Sequence, residues 1–386
     1  MPTLEQESTL SQHCAHARYV WNLAVEQHSW WRPGRIGAPG YLQQCRQLTA
    51  ARAENAWLRE GSQLVQQQAL RDYAQAMAYF FAGTHRRPTW RKAGRDDGFR
   101  VVAIKPADVR RLNKHWGEVR IPKAGWVRFR WSRLVPVGVR SFRVRRDRAG
   151  RWHVAFAAIP SPIPAPGNGA AVGIDRGVVV SAALSTGEML TAPHLSMSEQ
   201  RRLKRLERRL SRATRRSSRR DEVKTAVARL KVREADRRKD WCEKLSTDLA
   251  RNFDVIRVEN LNVKGMTGSA KGTAKAPGRN VRAKAGLNRS ILSSGWGLLV
   301  RRLEEKAPGR VVKINPAFTS QRCSACGHVA AESRESQARF HCRACHFTCN
   351  ADVNAARNIA AGHAVTARGG VRGPGPMNRE PQLFAS

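Results

Sequence analysis

Four cysteines fall into two Cys-x-x-Cys pairs, Cys323 with Cys326 and Cys342 with Cys345, with 15 residues between the pairs. Each such turn aims two thiolates at one point, and two turns complete a tetrahedral sulfur set suited to Zn²⁺. Protein fills all four positions, so the zinc is expected to be structural, with no open site for chemistry. Cys349, four residues after Cys345, competes as a ligand on sequence alone, and His346 stands where a glycine would normally relax the second turn. Cys14, Cys45 and Cys242 are scattered. This usage favours a metal over disulfides.

Three acids stand among basic neighbours at the ends of expected elements. Asp175 closes a strand over 171–175 (AVGID) and is followed by Arg176 and Gly177. Glu259 closes another over 254–259 (DVIRVE), followed by Asn260 and Leu261. Asp352 opens a helix within 350–356 (NADVNAA). One such Asp is ordinarily a cap or turn residue. Three of them, in a hairpin–helices–strand–helix–strand order, suggest a shared site. Carboxylates converging from adjacent strands and a helix can hold two Mg²⁺. One ion activates water and the other stabilises the leaving 3′ oxygen of an in-line phosphodiester displacement. Asp175, Glu259 and Asp352 are therefore candidate ligands for magnesium.

The elements that must position these groups follow from periodicity. Residues 3–82 read as helices, with Leu10, Cys14, Ala17, Trp21, Ala24 and Val25 recurring at three- and four-residue steps. Leu64, Leu70, Tyr73, Met77 and Phe80 do the same later, and the aromatics at 30–34 read as a turn. Over 99–160 the period switches to two, with apolar and basic residues alternating as in 126–131 (WVRFRW). That pattern predicts a small antiparallel barrel or sheet with one cationic face. The Pro-rich stretch 160–167 (PSPIPAPG) marks a linker. Beyond it come the Asp175 strand, a second strand from Val178 to Leu184, and long helices over 196–250. A Gly/Lys/Arg-rich loop over 264–289 has no acidic residue and reads as mobile and phosphate-facing. A helix at 296–306, a strand at 311–314, the cysteine module and a helix from 352 to 361 complete the order. The Gly/Pro/Arg-rich tail reads as disordered.

Charge sets the partner class. Of 386 residues, 70 are Lys or Arg and 30 Asp or Glu, a formal net charge of +40, yet 41% are hydrophobic. The chain is therefore globular rather than a disordered polycation, and a polyanion is needed to neutralise it. Residues 201–240 alone hold 18 Lys/Arg against 6 Asp/Glu, an excess too large for salt-bridge lacing and suited to a helix pair facing nucleic acid. No 18-residue apolar run exists, which argues against a membrane span. The first ten residues (MPTLEQESTL) lack the basic start and apolar run of a signal peptide, so a cytoplasmic protein, nucleoid-associated when bound to DNA, is expected.

Several segments together resemble the TnpB family of transposon-encoded proteins, the insertion-sequence OrfB type related to type V CRISPR effectors. They are 258–266 (VENLNVKGM), 294–297 (SGWG), 319–327 (TSQRCSACG) and 350–356, with 14–22 (CAHARYVWN) and 95–100 (RDDGFR) toward the N-terminus. The resemblance covers nearly the whole chain. It implies an α+β multidomain protein: a helical recognition region (1–98), a wedge-like β-barrel (99–160) and a linker (161–170). A ribonuclease H-like (RuvC) nuclease domain (171–316 and 347–361) would follow, with an inserted zinc ribbon (317–346) and a tail (362–386). It further implies a guide RNA from the transposon end and a double-stranded DNA target beside a short adjacent motif. Asp175, Glu259 and Asp352 would be the catalytic acids, the 264–289 loop a lid, and the 196–250 helices neighbours of the guide–target duplex, read by shape rather than sequence. The family usually begins with a basic strand ahead of the motif seen here at 2–6, so the first barrel strand is expected to be missing.

Three functions compete at this stage. They are an RNA-guided, Mg²⁺-dependent DNA endonuclease accessory to transposition, a nuclease-silent RNA-guided regulator, and a transposase that performs strand transfer itself. Retention of all three acids favours chemistry over mere binding. The oligomeric state is not legible.

Overall fold

The structure, a computed structural model, describes residues 2–30, 37–95 and 97–362. Most of the expected turn at 30–34 and all but the first residue of the tail lie outside the described residues. The chain forms two compact units, one from 1–160 with 205–229 and the other from 161–204 with the chain from 230 onward.

The first unit opens with α1 (Leu4–Ser29). Thr3 and Gln6 start it by a reciprocal capping box, in which Gln6 N–H donates to Thr3 Oγ1 at 3.2 Å and Thr3 N–H to Gln6 Oε1 at 3.1 Å. The predicted face is buried, from Leu10 through Cys14, Ala17 and Trp21 to Val25. α2 (Tyr41–Glu54), α3 (Ala56–Glu60) and α4 (Gln63–Phe81) follow. The buried stripe of α4 runs through Val65, Ala69, Leu70, Tyr73 and Met77. It takes in Val65 rather than the expected Leu64, which stays exposed.

Six strands come next: β1 (Gly98–Val102), β2 (Val109–Arg111), β3 (Trp116–Ile121), β4 (Gly125–Arg130), β5 (Ser141–Arg146) and β6 (Trp152–Phe156). The period-two reading holds, since Val119, Ile121, Val127, Phe142 and Val144 are buried while Arg120, Arg128, Arg130, Arg143 and Arg145 are exposed. The expected closed barrel is not formed. Two separate antiparallel sheets, β1-β5-β6 and β2-β3-β4, bury their apolar faces in one core with α1 and α4. The reason lies between β4 and β5. Residues 131–140, with Pro136 and a left-handed Gly138, carry no strand, so no ladder joins the sheets there.

The second unit begins with β7 (Ala171–Asp175), β8 (Ala182–Leu184) and β9 (Met189–Leu190), followed along the chain by the long helices α5 (Met197–Arg212) and α6 (Ser218–Asn252), of which the stretch 205–229 belongs to the first unit. β10 (Val255–Glu259), α7 (Val263–Met266), α8 (Val281–Ser293), α9 (Trp296–Lys306) and β11 (Val311–Ile314) come next. A two-stranded ribbon, β12 (Arg339–His341) with β13 (Thr348–Asn350), leads into α10 (Ala351–Ala361). The main sheet runs β11-β10-β7-β8-β9, with β10 parallel to both β7 and β11. Val172, Ile174, Ile256 and Val258 point from it into a core closed by Leu245 and Leu249 of α6 and Leu299 and Leu303 of α9. Each such side chain contributes about 1.5–3 kcal/mol on burial.

Two local expectations shift. The second strand is shorter than predicted, because residues 176–181 turn first and Trp296 Nε1 pins that turn by donating to Gly177 O at 3.1 Å. The predicted loop over 264–289 is partly helical, since α7 and α8 overlap its two ends. Past Gly278 the glycines thin out and the chain from Val281 is a good helix former. Among the described residues no helix is long and apolar enough to cross a membrane.

Candidate active site and metal centre

Asp175 and Glu259 are the last residues of β7 and β10. The parallel register pairs Ile174 with Val258, so the two acids leave the sheet side by side at its C-terminal edge. Asp352 lies in the first turn of α10, where the Asn350 side chain caps the helix by accepting from Asp352 N–H at 3.0 Å. That helix lies against β7 with no room to spare. A Cβ on Gly173 would sit 2.1 Å from Ala356 O and 2.3 Å from Ala360 N. Only glycine lets α10 come close enough to bring Asp352 to the strand ends.

The three carboxyl groups feel one another. Burial, then the charges of Glu259 and Asp352, push the Asp175 carboxyl up to about 8, against the opposing pull of Arg334. Burial also raises Asp352, again opposed by Arg334, whose Nη2 donates to Asp352 Oδ1 at 3.2 Å. Glu259 is buried, and its Oε1 accepts from Thr319 Oγ1 at 2.6 Å. Arg176, also buried, donates through Nη2 to the Glu259 main-chain carbonyl, and its Nε has no hydrogen-bond partner. Three carboxylates placed at one edge are hard-oxygen donors of the kind Mg²⁺ takes, though their oxygens do not all lie within 4.8 Å of one another. Arg334 already supplies one positive charge there.

Arg334 escaped the sequence reading, and Thr319 stood in it only as the first residue of the 319–327 motif. Arg176 was visible as the neighbour of Asp175 but without a role. Arg334 lies in the 15-residue stretch between the cysteine pairs, where nothing in spacing or composition separates it from other surface arginines.

The four cysteines gather as predicted. Among the described residues, Cys323, Cys326, Cys342 and Cys345 are the one His/Cys/Asp/Glu group whose ligand atoms all lie within 4.8 Å of one another. Sγ–Sγ distances of 3.7 Å (Cys323–Cys345) and 3.6 Å (Cys326–Cys342) match the edge of a tetrahedron built on Zn–S bonds of about 2.3 Å. Burial opposes ionisation of Cys342. The N–H groups of Cys345 and Ala344, aimed at its sulfur from 3.5 and 3.4 Å, nonetheless help hold the thiol down to about 6, which suits a metal ligand. Cys349 lies on β13 opposite Phe340, outside this set. The two knuckles repeat each other. Gly327 N–H donates to Cys323 O at 2.9 Å and His346 N–H to Cys342 O at 3.1 Å, with φ of +78° and +57°. His346 thus occupies the left-handed position that Gly327 fills in the first knuckle.

Arg201, Arg202, Arg205, Arg208, Arg209 and Arg212 of α5 are all exposed. Glu199 draws in Arg237 at 2.6 Å and Arg233 at 2.8 Å, and their hydrogen bonds hold its carboxyl down to about 2. One acid thus engages two arginines, and the excess persists.

Comparison with known proteins adds the following. Residues 153–270 match the OrfB_IS605 family, described as "Probable transposase", and residues 296–359 match the Cas12f1-like TNB domain. The chain is 37% identical to "Putative RNA-guided DNA endonuclease InsQ" of Escherichia coli (strain K12), over 98% of this chain and 95% of that protein. It is 34% identical to "Putative RNA-guided DNA endonuclease" of Streptomyces pristinaespiralis, over 99% and 94%. The fold resembles that of Cas12f1 in its complex with guide RNA and target DNA. The TM-score is 0.53 at 15% identity, covering 93% of this chain and 83% of that one.

Proposed function

Because the chain belongs to the TnpB family of RNA-guided DNA endonucleases, we propose that it cuts DNA at a site chosen by a bound guide RNA derived from its own transposon end. The observation that carries this reading is the placement of Asp175 and Glu259 side by side at the end of a parallel strand pair, with Asp175 pushed up to about 8 by burial and by the charges of Glu259 and Asp352. A buried acid whose charged form is disfavoured by burial and neighbouring acids is a candidate functional group.

In this reading the three carboxylates hold Mg²⁺, which when bound supplies the activated water and the stabilised leaving oxygen. Asp175, which feels the charges of the other two acids, would be one of the residues that hold the ions. Arg334 neutralises charge at Asp352 and faces the phosphate as its charge builds up in the transition state. The knuckle cysteines hold a structural Zn²⁺ that fixes the ribbon from which Arg334 projects. Lys264, Lys271, Lys275, Arg279 and Arg282, around α7 and the start of α8, contact nucleic-acid phosphates. Lys284 Nζ, donating to Met266 O at 2.7 Å, and Asn288 Nδ2, donating to Thr267 O at 3.0 Å, brace that segment as a lid. The guide–target duplex is recognised by shape and backbone, and base pairing supplies sequence.

The test is cleavage of a matched DNA duplex by the guide-loaded protein in Mg²⁺ and in EDTA. Asp175→Asn, Glu259→Gln and Asp352→Asn are each expected to lower the rate by more than the roughly 100-fold typical of an outer-shell metal partner, with target binding retained. Undiminished cutting by any of the three removes that residue from the site. Binding without scission by the wild-type chain in Mg²⁺ would favour the regulator reading.

A further inference from the structure

The carboxylate of Glu259 does not stand alone at the end of β10. It accepts a 2.6 Å hydrogen bond from the Thr319 hydroxyl, and Thr319 is only 3% exposed. A threonine hydroxyl has one proton to give. Pro316 O lies 3.1 Å from the same oxygen, but the shorter bond to a carboxylate is the stronger claim on that proton. The residue before Thr319 is held in an uncommon conformation. Phe318 has φ of +61°, left-handed backbone that a bulky side chain rarely adopts and that surrounding structure must enforce. Its carbonyl accepts from Gln321 and Arg322 N–H at 3.0 Å each, so the turn is closed on itself.

The turn is also fastened to α10. Asn358, buried on that helix, donates through Nδ2 to Thr319 O at 2.9 Å and to Arg322 O at 2.7 Å. Asn354, one turn nearer Asp352, donates to Arg322 O at 2.7 Å and accepts from Ser324 N–H at 2.9 Å. A continuous path therefore runs from the Glu259 carboxylate through Thr319 to the helix that bears Asp352.

We propose that Thr319 is a positioning residue for the nuclease site. Its hydroxyl fixes the Glu259 carboxylate in its metal-binding orientation, and its anchorage to α10 sets that carboxylate against Asp352. This rests on the reading of Glu259 as a metal ligand. A ligand oriented in advance binds its ion more tightly than one that must be ordered on binding.

The experiment measures Mn²⁺ binding to the zinc-loaded full-length protein by titration calorimetry, with zinc content and melting temperature as controls. Thr319→Val keeps the shape and removes the hydroxyl, and Thr319→Ser keeps the hydroxyl. The expected result is affinity weakened about tenfold in Thr319→Val and restored to within about threefold in Thr319→Ser. In a Glu259→Gln background Thr319→Val should have no further effect, which separates positioning from general destabilisation. Wild-type affinity in Thr319→Val, equal weakening in Thr319→Ser, or an undiminished effect in the Glu259→Gln background would each overturn the proposal. If Glu259→Gln itself leaves Mn²⁺ binding unchanged, the ligand reading fails and the proposal falls with it. Unchanged binding in Thr319→Val beside weakened binding in Glu259→Gln removes the proposal alone.

Discussion

Asp175 is the buried acid on which the proposed chemistry turns, and its protonation makes the site testable without substrate. Its carboxyl lies near 8 in the folded, metal-free protein, against about 3.9 in an unfolded chain. A group with a raised folded pKa contributes stability that is full below the unfolded value and is lost as pH climbs through the folded one. In zinc-loaded, magnesium-free protein, then, the melting temperature of Asp175→Asn should rise relative to wild type as pH goes from 5 to 8, and added Mg²⁺ should close the gap. A gap that narrows with pH would mean that Asp175 is not penalised by its neighbours. Arg334 gives a second residue-level prediction. Arg334→Ala should slow cutting about 10²–10³-fold while zinc content and DNA binding hold, and a rate within threefold of wild type would remove it from the site. The three acids were legible in the sequence because each ended a recognisable strand or opened a helix. The roles of Arg334 and Thr319 were not, because they depend on where the cysteine ribbon and its leading turn fold back, which no local pattern encodes.

α10 and the strand beneath it determine whether the acids meet at all. Gly173→Ala would drive a methyl group into the main chain of α10, an overpacking with no flexible side chain to yield. A loss of about 3 kcal/mol or more in unfolding free energy is expected, with cutting lost alongside it. A neutral Gly173→Ala would show that helix and strand are not so closely seated. The ribbon offers the reverse case. His346 holds a left-handed backbone that Gly327 takes freely in the matching knuckle. His346→Gly should make zinc harder to extract with a chelator by up to about 1 kcal/mol, the strain relieved being partly offset by the looser unfolded chain. Easier extraction would contradict this account of the two knuckles. At this scale the sequence reads well where periodicity is clean. The positions of β7, β10, α9 and β11 followed from it, as did the buried face of α1. It read poorly where the outcome depended on partners far along the chain. Alternation over 99–160 identified strands and their faces but could not say that β4 and β5 would fail to pair across 131–140. The turn after Asp175 is held by Trp296, more than a hundred residues away.

A net charge of +40 commits the whole molecule to polyanion partners. Affinity for nucleic acid should fall by about 10³-fold or more between 50 and 200 mM salt, the behaviour of a protein that displaces many counterions, and a flat response would argue against extensive phosphate contact. Charge does not distinguish a guide from a target, and that distinction is what separates a programmed nuclease from a general binder. The most direct measurement is to purify the protein with its bound nucleic acid, sequence what is bound, and offer it DNA matching that sequence. The account predicts one discrete RNA from the flank of the protein's own gene, and Mg²⁺-dependent cutting confined to matched DNA and lost in Asp175→Asn. A heterogeneous mixture of nucleic acids, with cutting indifferent to the match, would contradict it.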